Sequence, residues 1–233
     1  MIITLDGPAG AGKSSVAKRL ARRLTEKLGN VFEYLDTGSM YRAVTLLGIR
    51  NNVDWQVPVQ LERLAESAAM TIVDGRTLLN GEDVTEAVRQ PEITEQSRFA
   101  ANNPVIRQIM VEQQRSIAQT FLTDNKGLVT EGRDQGTVVF PDAACKFFLT
   151  ATPEERTRRR LGEMQQRGIV GEFDEIYRQI MDRDTRDAAR KVGPLCEPPD
   201  AHRIVSDGMT LEEVVERLVE ICCVLCTVNA SKE

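Results

Sequence analysis

Apolar residues recur along this chain with two periods, and the pattern predicts both strands and helices. Five short apolar runs predict core strands: MIITLD, VFEYLD, GLVTEG, CKFFLT and HRIVSD. After the first run, apolar residues repeat with helical spacing, at Val16, Leu20, Leu24 and Leu28. A strand, a loop and a helix followed by a second strand and helix are typical of a parallel sheet covered by helices. The pattern therefore predicts an α/β fold.

The pattern changes after about residue 57. Two short β-like runs flank Asp74-Gly75, and an Asp-Gly pair between such runs is a strong hairpin signal. We therefore predict an inserted subdomain, roughly residues 57–95, that contains a small antiparallel piece. A long helix in NPVIRQIMVEQQRSIAQTFL leads back to the core, and Thr210 and Glu213 predict a capping box on the last helix.

The composition is that of an ordinary globular chain and limits its partners. The chain has 233 residues, of which 41% are hydrophobic and 28% are charged. Its formal net charge is −5, and proteins that bind nucleic acid as a polyanion are usually basic. No apolar run reaches the ~20 residues that span a bilayer, and MIITLDG has no basic leader region. We expect a cytoplasmic protein without nucleic-acid or membrane partners.

The cysteines and the basic residues add weaker information. An odd, scattered set of five cysteines does not indicate a disulfide framework. Cys223 and Cys226 have CxxC spacing, but the chain has one histidine and no second pair nearby, so we expect no metal or redox role. Of 30 basic residues only 7 are lysine, and arginine is the better fork for phosphate oxygens. A general compositional bias would explain the arginines equally well.

A glycine-rich segment after the first strand matches the phosphate-binding pattern G-x-x-x-x-G-K-[ST]. A strand before it and a helix after it are the required context, since loop N–H groups and a helix N-terminus bind polyphosphate. We expect Lys13 to reach the β- and γ-phosphates and Ser14 to ligate Mg²⁺. The predicted ATP-binding residues are Gly7, Pro8, Ala9, Gly10, Ala11, Gly12, Lys13, Ser14 and Ser15.

Charged residues also follow two other predicted strands and occupy one predicted helix. LDTGSMYR places Thr37 and Arg42 after the second strand, and EGRDQG follows a later core strand. Open α/β sheets bind ligands at this carboxyl edge. In RDTRDAAR the side chains of Arg183, Asp187 and Arg190 share one helical face, a spacing that also fits a solvated surface.

The phosphate loop alone leaves the class of protein open. A GTPase would carry Asn-Lys-x-Asp, whereas Asn125-Lys126 is followed by Gly-Leu. The additional glycine at Gly10 is typical of small-molecule kinases. One alternative is a kinase for another small acceptor, in which Asp36 would serve as a base for a hydroxyl group. A second alternative is an ATP-binding regulatory module.

Five segments, taken in order, resemble bacterial cytidylate kinases (CMP kinases): DGPAGAGKSS, DTGSMYR, EGRDQGTVVFPDA, PEERTRRR and RDTRDAARKVGPL. The resemblance extends from Ile2 to about Glu220. It implies a P-loop NTPase-type three-layer α/β fold with a parallel five-stranded sheet, an inserted NMP-binding subdomain and a basic lid. The implied division of this single kinase domain (1–233) is a core of 1–40, 104–152 and 171–226, an NMP-binding subdomain with a hairpin insert at about 41–103, and a lid at about 153–170.

The resemblance implies ATP-dependent phosphorylation of CMP and dCMP to CDP and dCDP, with Mg²⁺, as part of pyrimidine metabolism. The acceptor phosphate has a second pKa near ~6, so it is already an anionic nucleophile and needs no general base. Positioning and positive charge would supply most of the catalysis. We expect small-molecule substrates and a monomer.

The resemblance also implies roles for individual residues. The catalytic set is Lys13, Arg133, Arg159, Arg160 and Arg190, with the lid residues Arg159 and Arg160 closing over ATP. The substrate-binding set is Thr37, Arg42, Ser97, Arg107, Arg133, Asp134, Arg183, Asp187 and Arg190. Within it, Asp134 and Arg107 would read cytosine. A carboxylate accepts from the cytosine amino group, whereas the O4 atom of uracil would leave that charge unpaired.

Three positions depart from the family pattern. The family usually has Asp where this chain has Glu131, and a small aliphatic residue or Met where it has Gln135. The family's base-contacting Ser corresponds to Arg98, with Ser97 as its neighbour. Either Ser97 substitutes through a local shift or base recognition differs.

Overall fold

The structure is a computed structural model that describes residues 1–73, 75–166 and 168–230, except for the side chains of 226–230. Asp74 of the predicted hairpin and the Cys226 side chain therefore lie outside the described residues. In chain order the elements are β1 (Ile2–Asp6), α1 (Lys13–Leu28), β2 (Phe32–Asp36), α2 (Thr37–Arg50), α3 (Pro58–Ser67), β3 (Met70–Val73), β4 (Arg76–Leu79), β5 (Glu82–Asp83), α4 (Pro91–Asn102), α5 (Pro104–Thr123), β6 (Gly127–Gly132), β7 (Cys145–Thr150), α6 (Pro153–Gln166), α7 (Phe173–Ala188), β8 (His202–Val205) and α8 (Leu211–Ala230).

Five of the described strands form a parallel sheet with the order β2-β6-β1-β7-β8. Successive residues of a strand face opposite sides. On β6, Leu128 packs into a core with α2 and α5, whereas Val129 packs into a second core with α1 and α8. Helices therefore cover both faces of the sheet, and the predicted three-layer α/β fold is confirmed.

A second, antiparallel sheet of β3, β4 and β5 lies between α3 and α4. The predicted hairpin is confirmed. Gly75 in its turn has a φ of 71°, a backbone conformation that residues with a Cβ rarely adopt. The hydroxyl of Thr77 on β4 donates to the Ser39 hydroxyl on α2 at 2.9 Å. The small sheet is thus attached to the helix that follows β2.

The carboxyl ends of β1, β2 and β6 lie side by side. In the parallel register, Asp36 is opposite Glu131, and Asp6 is opposite Gly132. The segments that follow these strands therefore start at one edge of the sheet. These segments carry the phosphate loop, the start of α2 and the charges of EGRDQG.

The last helix begins as its sequence indicates. The N–H of Thr210 donates to the Glu213 carboxylate at 2.8 Å, and the N–H of Glu213 donates to the Thr210 hydroxyl at 3.3 Å. This reciprocal pair is the predicted capping box. Among the described residues, none of the helices combines the length and apolar character that crossing a membrane requires.

Candidate active site

The phosphate loop joins β1 to α1 and has the backbone that anion binding requires. Gly10 and Gly12 have φ values of 75° and 85°, which glycine adopts without strain. A Cβ on Gly7 would lie 2.0 Å from the carbonyl oxygen of Leu149, so only glycine fits there. Because α1 begins at Lys13, its N-terminal N–H groups and the positive end of its dipole adjoin the loop.

Lys13 is buried and folded back onto the loop. Its Nζ donates to the carbonyl oxygen of Pro8 at 2.7 Å. Burial, reinforced by the charge of Arg133, lowers the pKa of Lys13 to about 7. A bound polyphosphate would place negative charge beside Lys13 and so favour its charged ammonium form.

Glu131 at the end of β6 belongs to the phosphate-loop side of the site. Ser14 and Tyr34 both donate their hydroxyl hydrogens to Glu131 Oε1, the tyrosine at 2.9 Å. The hydroxyl of Thr37 donates to the Glu131 carbonyl oxygen at 2.7 Å. The longer side chain at position 131 therefore reaches Ser14, and it does not order Arg133, which pairs with Asp187.

The oxygen atoms of Ser14 and Glu131 suit Mg²⁺, which prefers hard oxygen ligands. In the part of the chain that the structure describes, no group of three or more His, Cys, Asp or Glu side chains could hold a metal ion alone. Mg²⁺ usually keeps several waters and takes its other ligands from substrate phosphates. These residues therefore fit a magnesium ion that arrives with a nucleotide.

Asp187 gathers three arginines beside the loop. Its Oδ2 accepts from Arg133 Nε at 2.8 Å, and its Oδ1 accepts from Arg190 Nη2. Arg183 Nε lies 4.0 Å from Oδ2. Burial works to raise the pKa of Asp187, but Arg133, Arg190 and Arg183 outweigh it and hold the pKa below its usual value. The structure thus brings the residues of RDTRDAAR that share a face together around the buried Asp187, while the Arg183 side chain stays 48% exposed.

Arg42 completes this cationic cluster from α2. Its Nη2 donates to Asp36 Oδ2 at 3.0 Å, while the buried Nε has no hydrogen-bond partner among the described residues. Thr37, buried at the start of the same helix, lies beside Glu131. A buried donor without a partner is costly, and an anionic ligand would satisfy it.

Arg107 and Asp134 form a buried ion pair on the other side of the cluster. Arg107 Nη2 donates to Asp134 Oδ2 at 2.5 Å, and Nη1 donates to the Ala101 carbonyl oxygen at 3.0 Å. The guanidinium also lies 5.3 Å from the centre of the Tyr41 ring, and its Nε has no partner among the described residues. A planar ligand with adjacent donor and acceptor groups would match this pair.

Two predicted site residues point elsewhere. The Ser97 hydroxyl donates to the Thr94 carbonyl oxygen of its own helix at 2.7 Å, and the neighbouring Arg98 lies over the Phe99 ring. Arg160 is exposed and pairs with Glu163 at 3.1 Å. The structure therefore brings neither Ser97 nor Arg160 to the other predicted residues.

Arg159, by contrast, turns inward from α6. Its Nη2 donates to the carbonyl oxygen of Ser206 at 2.7 Å, and its Nε donates to Glu155 at 3.1 Å. Its Nη1 lies 3.9 Å from where a Cβ on Gly12 would stand. Arg159 therefore lies next to the phosphate loop.

Asp6, which sequence reasoning missed, and Gln135 shape the turn after β6. The carboxylate of Asp6 accepts from the N–H groups of Gln135 and Gly136 at 2.9 and 2.7 Å, and burial raises its pKa to about 6. The unusual Gln135 accepts from the Thr130 hydroxyl and donates to Gln114, so it is held inside the protein. An aspartate directly before the phosphate loop was the available signal for Asp6.

The site can therefore hold two phosphate-bearing ligands at once. The loop, α1 and Ser14 offer N–H groups and a hydroxyl, and the facing cluster of Arg42, Arg133, Arg183 and Arg190 offers guanidinium groups. Burial is the main reason why the pKa of Lys13 is low, and the charges of Arg133 and Arg183 lower it further. The two parts of the site are therefore close to each other. Such an arrangement suits transfer of a phosphoryl group between two anions.

Known proteins with similar sequences cover the whole site. A family model described as cytidylate kinase matches residues 3–223. The cytidylate kinase of Rhodopirellula baltica is 44% identical over 99% of this chain and 97% of that protein. The cytidylate kinase of Caldanaerobacter subterraneus subsp. tengcongensis is 43% identical over 94% of this chain and 92% of that protein. A bifunctional pantoate ligase/cytidylate kinase of Synechococcus elongatus is 43% identical over 94% of this chain, which spans 41% of that protein.

Proposed function

This chain belongs to the cytidylate kinase family, and from that premise we propose how its residues carry out the family's reaction. The chain is a nucleoside monophosphate kinase that phosphorylates CMP with ATP, a step of pyrimidine metabolism. One observation carries the assignment of residues. The phosphate loop faces a cluster in which Asp187 holds Arg133, Arg183 and Arg190, so two phosphate sites adjoin.

On the donor side, residues 7–15 bind the phosphates of ATP. Lys13 leaves the Pro8 carbonyl oxygen and binds the β- and γ-phosphates, which stabilises the charge that develops during transfer. Ser14 would ligate Mg²⁺, and Glu131, which accepts from the Ser14 hydroxyl, would hold water molecules of the ion. Mg²⁺ neutralises phosphate charge when bound.

On the acceptor side, Arg42, Arg133 and Arg190 bind the phosphate of CMP, and Asp187 with Arg183 addresses the ribose and the adjacent phosphate. The orphaned Nε of Arg42 supports this assignment. Thr37 lines the floor of this subsite. Asp134 accepts from the cytosine amino group and Arg107 donates to the ring acceptors, as their side-by-side geometry permits.

The lid at about 153–170 and the NMP-binding subdomain at about 41–103 close over the bound ligands and exclude water. Arg160 and Ser97 lie away from the site in this structure. If they act on the ligands, closure has to bring them in. The remaining residues, 1–40, 104–152 and 171–226, form the core. We further propose that the protein is cytoplasmic and monomeric, accepts dCMP, and has no nucleic-acid or membrane partner.

Asp36 is poorly suited to act as a general base. Its carboxylate pairs with Arg42 at 3.0 Å and accepts from the Ser39 N–H at 2.9 Å as the cap of α2. These contacts occupy both oxygens of the carboxylate. The geometry thus favours a phosphate acceptor over a hydroxyl acceptor.

An acceptor panel tests the function. CMP, dCMP, UMP and AMP are supplied at equal concentration with Mg·ATP, and ADP release is measured with a coupled assay. CMP and dCMP should react fastest, because cytosine offers an amino group to Asp134 beside ring acceptors for Arg107, whereas uracil has no amino group and adenine is a larger purine. Equal rates with UMP would contradict the role of Asp134, and ATP binding without turnover on any acceptor would favour a regulatory module.

A further inference from the structure

Two side chains outside the predicted site hold one residue of the phosphate loop from both sides. The N–H of Ala9 donates to Asp184 Oδ1 at 2.9 Å, and the carbonyl oxygen of Ala9 accepts from Arg156 Nη1 at 2.8 Å. Arg156 Nη1 also donates to Asp184 Oδ2 at 2.5 Å. Ala9, Arg156 and Asp184 thus form a closed ring of three hydrogen bonds.

Arg156 differs from the other arginines of α6 because it is buried. It is only 4% exposed, and its Nε donates to the Ala151 carbonyl oxygen at 3.1 Å. By comparison, the side chain of Arg158 is 65% exposed and pairs with Glu155. A Cβ on Gly10 would lie 3.1 Å from Arg156 Cβ, so the loop and the helix are in close contact. Burying an arginine is costly unless its donors are used, and the loop uses them.

The ring joins three parts of the proposed machinery. Arg156 lies on α6, the first helix of the proposed lid, and Asp184 lies one turn before Asp187 on α7. Ala9 lies between the first two glycines of the phosphate loop, where the backbone has many accessible conformations. Hydrogen bonds with a charged partner are the stronger ones. They can select one loop conformation before a nucleotide arrives, which reduces the entropy lost on binding.

We propose that Arg156 and Asp184 are positioning residues that clasp Ala9 and preorganise the phosphate loop for the adenine nucleotide. The inference rests on the proposed binding of ATP phosphates by residues 7–15. It assigns to these two residues a role in nucleotide affinity, exerted through the loop backbone without contact to the acceptor.

The test measures ADP and CMP affinities separately by isothermal titration calorimetry. Arg156→Met and Asp184→Ala should each raise the Kd for ADP by about tenfold, the effect of losing one strong hydrogen bond. The double variant should bind ADP about as tightly as the weaker-binding of the two single variants, since both residues act through Ala9. The Kd for CMP should stay within about twofold. Arg158→Met, a matched change on the same helix, should leave the Kd for ADP unchanged.

Asp184→Asn and Arg156→Lys serve if a larger truncation fails to fold, and each should weaken ADP binding while thermal unfolding still shows a folded protein. The proposal is overturned if the single variants bind ADP as the unaltered protein does, or if the affinities for ADP and CMP fall by the same factor. If the unaltered protein fails to bind ADP, both the clasp and the proposed ATP site are wrong.

Discussion

The phosphate-binding loop on the donor side is one continuous segment, whereas the acceptor side is assembled from α2, α5, the turn after β6 and α7. Residues 7–15 offer mainly backbone N–H groups and the N-terminus of α1. The acceptor side offers guanidinium groups, and each of them has a carboxylate partner: Asp36, Asp134 or Asp187.

The difference follows from how each kind of positive charge is kept in a folded protein. Backbone N–H groups carry partial charges that need no counterion, so a loop can present several of them together. Clustered arginines repel one another and lose hydration, and buried carboxylates offset both costs. The acceptor site therefore depends on its ion pairs, while the donor site depends on its loop conformation and on Lys13.

The most severe break of the donor side is Lys13→Met. It removes the buried ammonium group that is proposed to stabilise the transferring phosphate, so kcat should fall on the order of 10³-fold. The coupled ADP-release assay with CMP measures this. Lys18→Met, at an exposed position on the same helix, should retain activity. A loss of less than tenfold with Lys13→Met would show that backbone N–H groups and Mg²⁺ suffice on the donor side.

The corresponding break of the acceptor side is Arg133→Ala. It removes a phosphate contact and leaves Asp187 with one cation fewer, so kcat/KM for CMP should fall about 10²-fold. The KM for ATP should change little, which separates the two sides. Arg178→Ala, an exposed arginine on α7, is the control. A kcat/KM for CMP within threefold of the unaltered protein would remove Arg133 from the acceptor site.

Asp134→Asn sharpens the comparison by testing base choice without changing phosphate binding. An amide can donate to O4 of uracil where the carboxylate cannot, so the preference for CMP over UMP should fall by about tenfold or more. Both kcat/KM values are measured with ATP saturating. Asp142→Asn, at an exposed position after the same turn, should keep the preference. If Asp134→Asn also keeps it, the base is recognised elsewhere.

The smallest expected effect concerns the support of the donor side. Tyr34→Phe removes the hydrogen bond to Glu131 Oε1, so the free energy of unfolding should fall by about 1 kcal/mol. The Mg²⁺ concentration that gives half-maximal activity should rise modestly, because Glu131 is held less firmly beside Ser14. Denaturant unfolding and a Mg²⁺ titration measure the two effects. Tyr177→Phe, whose ring stacks on Phe173, is the control, and an unchanged Mg²⁺ requirement would confine Tyr34 to stability.

Two parts of the candidate site could be predicted from the sequence for different reasons. The loop geometry, with Gly10 and Gly12 at positive φ before α1, follows from a local motif. The Asp187 cluster became convincing only through the family resemblance, since its helical spacing equally fitted a solvated face. Arg159 and Arg160 are adjacent and were treated alike, yet one faces Ser206 and the other Glu163.

The sequence by itself determined the strands, the order of layers and the phosphate loop, because apolar periodicity and the glycine motif act over a few residues. Only the tertiary structure decided which carboxylate each arginine meets, why Glu131 reaches Ser14, and that Asp184 binds the loop 175 positions earlier in the chain. Such contacts depend on side-chain direction and on which strand ends meet at one edge. Neither can be predicted from the spacing of residues along the chain.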